Sequence, residues 1–197
     1  GHVLATDLDV SWAQQAGGAE IEVRQHDVGS DTPPPGGFHL VHARLVLIHV
    51  ADRAAALHNM VQALRPGGWL LLEDADPALQ PLSCLDAQSP AEELANRLRT
   101  GFRKLLAQRG VDLAYGRKLP RLLRGVGLQD VAADAYFPVA LPACAPLEVA
   151  TIQLIRGQLV SHGVARDDEI DLHLKNVAAG LLDLAQPPMI SAWGRKP

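Results

Sequence analysis

Cysteine is scarce in this sequence. There are two in 197 residues, Cys84 and Cys144. Neither sits in a CxxC pair or has a histidine at ligand spacing, so the spaced-cysteine zinc patterns are excluded. Free thiols in a reduced, cytoplasmic setting are expected, with a single bond between the two as the alternative. Positive charge is also short: 18 Lys and Arg against 22 Asp and Glu give a net charge of −4. A nucleic-acid surface wants a basic stripe to neutralise phosphates, so no nucleic-acid partner is expected. The local group Arg117, Lys118, Arg121 and Arg124 reads as a solvated helix face. No apolar run approaches the roughly 20 residues that cross a bilayer, and the first residues lack a basic segment followed by an apolar one. A membrane partner is therefore not expected. Internal repeats and low-complexity tracts are absent, as are metal spacings such as HExxH, and no metal is expected.

What is present fits one globular domain. Hydrophobic residues make up 48% and charged residues 20% of the chain, and its length can bury a substantial core. The informative stretch runs from Phe38 to Asp76, FHLVHARLVLIHVADRAAALHNMVQALRPGGWLLLEDAD. Leu40 to Ala43 reads as the end of a buried strand. Trp69 to Glu73 is an apolar run with little alternation, as expected of a parallel strand covered on both faces. Between them Leu57, Met60, Val61 and Leu64 follow the i, i+3, i+4, i+7 spacing of one helix face. Asp52 stands at the N-cap position, and Pro66-Gly67-Gly68 stops the helix. Strand, helix, Gly turn and strand make one right-handed βαβ unit.

Around that unit the pattern alternates. Val3 to Thr6 is a short strand ending in Asp7-Leu8-Asp9, and Ser11 can cap a short helix. Ala19 to Arg24 is a second strand that meets His26-Asp27-Val28. Residues 31–37, DTPPPGG, form a loop. Helices are expected over Ala91–Gln108, started by Ser89 or Pro90, and over Lys118–Val126, Leu147–Ser161 and Asp167–Leu184. Strands are expected over Gln129–Val139 and Pro188–Gly194. The order implies an α/β fold with a doubly wound sheet.

The run FHLVHARLVLIHVADR…LRPGGWLLLED resembles strands four and five of class I S-adenosylmethionine-dependent methyltransferases, and a weaker resemblance covers nearly the whole chain. It implies a Rossmann-like sheet, mostly parallel, with PMISAWGRKP as a last strand inserted antiparallel. The cofactor implied is S-adenosyl-L-methionine and the reaction is methyl transfer to an oxygen, nitrogen or carbon of a small-molecule substrate. Residues 1–76 would be the cofactor-side core, 77–128 a helical connection, and 129–197 the last strands and lid helices of a single domain.

Ligands of open α/β sheets sit at the carboxyl ends of the strands. There the resemblance gives Asp7 the ribose hydroxyls, Leu8 the adenine face, Asp27 the adenine amino group and the Val28 amide a ring nitrogen. Ala43 and Arg44 would line the methionine end and the substrate mouth. Read without it, Asp7 is a helix cap or a dehydrogenase-like ribose ligand, Asp27 a turn residue, and Arg44 an ion-pair partner of Glu73 or Asp74. His49 has the ordinary pKa of a general base for a hydroxyl substrate, or is a packed histidine. Trp69 and Trp193 are expected in the core.

The family's Gly-rich loop, which cradles the cofactor's methionine part, does not precede Asp7, and the Gly17–Gly18 pair does not follow a strand. The expectation is a chain that opens downstream of the first strand and helix, with an unfilled central position in its sheet. A nicotinamide-dependent oxidoreductase and a non-catalytic methyltransferase-like remnant are the alternative functions.

Overall fold

Chain direction and strand order follow from a few local signals in a computed structural model that describes residues 1–11, 13–16, 18–35 and 37–197. Gly17 of the Gly17–Gly18 pair and Gly36 of the 31–37 loop lie outside the described residues, as does Trp12. The chain opens with β1 (Val3–Asp7), a single 3-10 turn (Ala13–Ala16) and β2 (Ile21–Gln25), which runs parallel to β1 as a separate two-stranded sheet. Then come β3 (Phe38–Arg44), α1 (Arg53–Ala63) and β4 (Leu64–Ala75), the βαβ unit of the sequence, with β3 and β4 parallel. After these follow α2 (Pro90–Gln108), α3 (Leu119–Gly125), β5 (Gln129–Tyr136), α4 (Cys144–Ser161), α5 (Asp167–Ala178) and β6 (Met189–Arg195). The second sheet has the order β3-β4-β6-β5, with β6 antiparallel to both neighbours. The fold is α/β and Rossmann-like, mostly parallel, with the antiparallel last strand.

Asp52 caps α1 as its position implied: its side chain accepts from the Ala55 amide at 2.9 Å. The helix stops one residue short of the last apolar position that the spacing suggested. Ala63 is its last residue, and Leu64, buried, already belongs to β4. Pro66-Gly67-Gly68 thus lies inside the extended segment. Gly67 takes φ +76°, open only to glycine without strain, and Gly68 lies so close to Phe38 O that a Cβ would come within 2.8 Å. The end of the chain completes this turn. The Lys196 amine donates to Val61 O at 2.8 Å, which also takes the Leu64 amide, and to Leu64 O at 2.6 Å.

One face of the four-stranded sheet is covered. Leu70 and Leu72 of β4 and Ala192 of β6 are buried there against Leu57 and Met60 of α1 and Leu119 and Leu123 of α3. The other face is open. Leu40, Trp69 and Tyr136 lie on it and are exposed. This corrects two expectations. β3 is half-exposed because β4 pairs with only one of its edges, and β4 is covered on one face. Trp69 stands on that open side, and Trp193, on the same side by register, is only half-buried. β1 and β3 each keep one edge without a strand partner among the described residues.

The helices α2, α4 and α5 form a layer with its own core of Leu98, Ile152, Leu159 and Ile170. Ser89 caps α2 and Pro90 starts it. α5 ends at Ala178, earlier than expected, because Gly180 turns the chain with φ +67°. Three buried polar side chains tie the layer together. Arg99 donates to Glu148 at 3.1 Å, and His173 Nε2 lies 3.0 Å from the other carboxylate oxygen. Burial alone would raise the Glu148 carboxyl, but His173 and Arg99 hold it below the ordinary value. Cys84 and Cys144 are both free and buried. Burial pushes the Cys84 thiol up to about 11, so it stays protonated at neutral pH.

Glu148→Gln would leave Arg99 buried beside a neutral amide. The expected cost is about 3 kcal/mol of unfolding free energy, read as a lowered urea midpoint with an unchanged slope. An unaltered midpoint would show that the triad is not holding the layer.

Candidate functional site

The carboxyl ends of β1, β2 and β3 open into one cleft of about 600 Å³, within the range of small-molecule and cofactor sites. Its wall is largely apolar, with Leu4, Leu8, Phe38, Leu45 and Val50 among its residues. Its titratable groups include Asp7, Asp27, His42, His49 and Asp52. Six of the seven residues named from the sequence meet here: Asp7, Leu8, Asp27, Val28, Ala43 and His49. Arg44 is not part of the lining. Its guanidinium, largely exposed, pairs with Glu73 at 4.0 Å, the ion-pair partner that the residues themselves suggested. Asp74 does not pair with it.

Asp7 is the last residue of β1. Its Oδ1 accepts from the Asp9 amide at 3.1 Å, while Asp9 takes the Ser11 amide at 2.9 Å. The turn after β1 is thus built by Asp9 as well, and Asp7 keeps a second carboxylate oxygen. Asp27 follows β2. Its Oδ1 accepts from the Gly29 amide at 2.8 Å, and this bond, with Ser30, holds its carboxyl below the ordinary value. It stays an anion throughout the neutral range, as an acceptor for a ligand amino group must. Asn59 of α1 ties the next segment down by donating to Val28 O at 3.0 Å.

Leu45 follows β3 with φ +55°, the left-handed region that a leucine rarely adopts. Its amide is held by Glu73 O at 2.8 Å, and its side chain lines the cleft. His49 ends the 3-10 turn Leu47–His49. Burial, and then the Arg53 guanidinium, lower its pKa, so the ring is neutral at pH 7.

Sequence reasoning passed over one group. His42 lines the cleft and its Nε2 lies 2.9 Å from Glu73 Oε2, while Ser191 donates to Oε1 at 2.8 Å. These bonds hold the Glu73 carboxyl low. The signal was the shared parity of His42 and Arg44 on β3, which turns both toward the face carrying Glu73. Asp74, named from the sequence as a possible partner of Arg44, is instead buried and accepts from the Ile48 amide at 3.4 Å. Burial pushes its carboxyl up to about 7. The next carboxylate, Asp76, behaves oppositely. Burial would raise it, but Arg117 Nε and Nη2 at 2.7 and 2.6 Å and the Arg117 amide at 3.0 Å keep it low. These bonds hold the turn after Tyr115 against β4, where Gly116 approaches so closely that a Cβ would stand 2.7 Å from Asp74 O. With Arg117 on Asp76 and Lys118 on Asp112, half of the basic group named from the sequence is engaged in ion pairs. Among the described residues no cluster of three metal-ligating side chains is found, and no helix is long and apolar enough to cross a membrane.

The cleft, with a carboxylate at the end of each of the first two strands, lies where open α/β sheets bind their ligands. The chain belongs to the methyltransferase-domain family, whose profile matches residues 4–133. It is 32% identical over 136 residues to methyltransferase str3 of Strobilurus tenacellus, covering 66% of this chain and 47% of that protein. Against the phosphoethanolamine N-methyltransferase of Triticum aestivum it is 26% identical over 139 residues, covering 68% of this chain and 24% of the wheat protein. The chain therefore spans less than half the length of either relative. Among solved structures, phosphoethanolamine N-methyltransferase 2 of Haemonchus contortus, in complex with S-adenosyl-L-methionine, superposes with a TM-score of 0.58 at 15% identity, covering 100% of this chain and 43% of that one. YcgJ of Bacillus subtilis gives the same TM-score at 17% identity, covering 99% and 82%. At these identities the likeness is one of fold.

The raised Asp74 carboxyl makes stability pH-dependent. Its folded pKa lies above its unfolded value near 3.8, so its contribution is complete below that value and is lost as pH rises toward 7. Asp74→Asn, which keeps the acceptor for Ile48, is expected to stabilise the fold by a few kcal/mol at pH 8 and by little at pH 4. Urea denaturation at the two pH values reads the difference.

Proposed function

We propose that the chain carries the cofactor-binding core of an S-adenosyl-L-methionine-dependent methyltransferase acting on a small molecule. The observation that carries this reading is the meeting of Asp7, Asp27, Ala43 and His49, from four separate segments, in a single cleft. Family membership supports it, as do the Haemonchus relative's cofactor and the acceptor in the wheat relative's name.

Asp7 is the ligand of the ribose hydroxyls through two charge-assisted bonds. Leu8 packs on the adenine. The Asp27 carboxylate takes the adenine amino group, beside the Val28 amide. Ala43 lies at the methionine end. Methyl transfer is a displacement at the sulfonium carbon, which already has a good leaving group. Alignment of the two reactants can supply about 7–11 kcal/mol of the barrier reduction. A base is needed only where the acceptor must lose a proton first, and His49, neutral at pH 7, is the candidate. The chain acts as one domain of residues 1–197, with a core of 1–76, a connection of 77–128 and a C-terminal part of 129–197. The layer of α2, α4 and α5 lies outside the cleft lining and is the element left to cover an acceptor. A cytoplasmic location suits a cofactor of that compartment and two reduced thiols.

Calorimetric titration of S-adenosylhomocysteine tests the reading. Binding is expected, weakened about tenfold by Asp7→Ala and again by Asp27→Ala, since each removes bonds worth about 1.4 kcal/mol. NAD binding in its place would favour the oxidoreductase. Binding of neither would favour the non-catalytic remnant. With a hydroxyl acceptor, the rate should rise with pH through a midpoint below the ordinary histidine value, and His49→Gln should abolish that limb. A profile that survives the substitution removes His49 from the mechanism.

A further inference from the structure

Arg53 is the first residue of α1, and its guanidinium reaches back to the turn that precedes the helix. Nε donates to Leu47 O at 3.1 Å and Nη2 to Ile48 O at 3.1 Å. Nη2 also donates to Gly110 O at 3.0 Å. The guanidinium carbon lies 5.5 Å from the centre of the buried Tyr115 ring, within the range at which a cation and an aromatic face attract. Two carboxylates feel its charge, Asp74 and Asp112, yet neither is bonded to it. Asp74 accepts from the Ile48 amide, and Asp112 pairs with Lys118. Arg53 thus directs its donors to backbone carbonyls.

The segment it holds is a wall of the cleft. Val46, His49 and Val50 are part of the lining, and Leu47 and Ile48 between them are buried. That segment has little support of its own. The 3-10 turn has three residues. It closes through the His49 amide on Val46 O at 3.0 Å and the Val50 amide on Leu47 O at 3.2 Å, and 3-10 bonds are poorer than those of an α-helix. The chain enters it through Leu45 at an unfavourable φ of +55°. Ile48 is gripped on both sides, its amide by Asp74 and its carbonyl by Arg53. Gly110 lies beyond α2, so the third bond ties the turn to a point outside it.

We infer that Arg53 is a positioning residue: its guanidinium sets where the Val46–Val50 turn, and with it the His49 ring, stands against a ligand in the cleft. The inference rests on the cleft being the cofactor site. A guanidinium is a rigid planar fork that serves several acceptors at once, whereas a lysine amine is a point charge on a flexible stem. Charge and geometry can therefore be separated by substitution.

The test is made on the parent chain, Arg53→Lys and Arg53→Met. Each is titrated calorimetrically with S-adenosylhomocysteine, and the His49 ring, assigned by its loss in His49→Gln, is titrated by proton NMR. Arg53→Lys keeps the charge and loses the fork. Affinity should fall about tenfold, while the His49 midpoint stays below the ordinary histidine value. Arg53→Met loses both. Affinity should fall at least as far, and the midpoint should rise toward the ordinary value, because the cation opposing the imidazolium is gone. An arginine that only holds the fold together would lower the urea midpoint of both variants and leave affinity and the His49 titration as in the parent. That result overturns the proposal, and Arg53→Lys alone delivers it should Arg53→Met fail to fold. A parent chain that binds no S-adenosylhomocysteine would sink the functional reading instead. The His49 titration would still decide on Arg53, and a midpoint unmoved by Arg53→Met would reject its role.

Discussion

The hydrogen-bond ladder along β4 is the constraint on which the rest depends. β3 is fixed to one of its edges and β6 to the other. Its buried leucines, Leu70 and Leu72, receive α1 and α3. Its carboxyl end holds three successive acidic residues in different ways. Glu73 faces the open side and takes His42 and Ser191, Asp74 turns inward without a cationic partner within bonding distance, and Asp76 is saturated by Arg117. The period of two along a strand separates Glu73 from Asp74, while Asp74 and Asp76, of the same parity, diverge because only Asp76 has a guanidinium on it.

The cleft follows from the same ladder. β3 ends level with Glu73, and the bond from the Leu45 amide to Glu73 O starts the turn that carries Val46 to Val50 across the cleft. Holding Leu45 in the left-handed region costs of order 1 kcal/mol, which the packing of Leu47 and Ile48 beneath offsets. The anionic side of the cleft is built more simply. Asp7 and Asp27 stand at the ends of paired parallel strands, and each accepts an amide two residues onward.

Much of this was legible in the sequence, for physical reasons that can be named. Asp52, Leu57, Met60 and the Pro-Gly-Gly turn are local signals, and local signals fixed the βαβ unit. The acids after β1 and β2 were found because strand ends are where ligands sit. What failed was whatever depended on partners distant in sequence. Trp69 reads as core until the sheet is seen to be covered on one face. Leu64 obeys helical spacing, but its φ and ψ are extended because β4 begins there. Arg44 does pair with Glu73, at 4.0 Å, but His42, across the strands, holds the same carboxylate oxygen at 2.9 Å, which the sequence did not announce. The Arg99, Glu148 and His173 triad joins three helices separated by up to 74 positions, and nothing in the local sequence announces it.

The position of β6 has a consequence for synthesis. It is the last strand of this sequence to leave the ribosome, yet it lies inside the sheet, between β4 and β5. Until residues 189–195 emerge, β5 has no sheet to join and one edge of β4 stays bare. Lys196, which closes the turn between α1 and β4, arrives later still. A ribosome stalled just short of these residues would leave both of those edges open, the state most exposed to pairing with a neighbouring nascent chain.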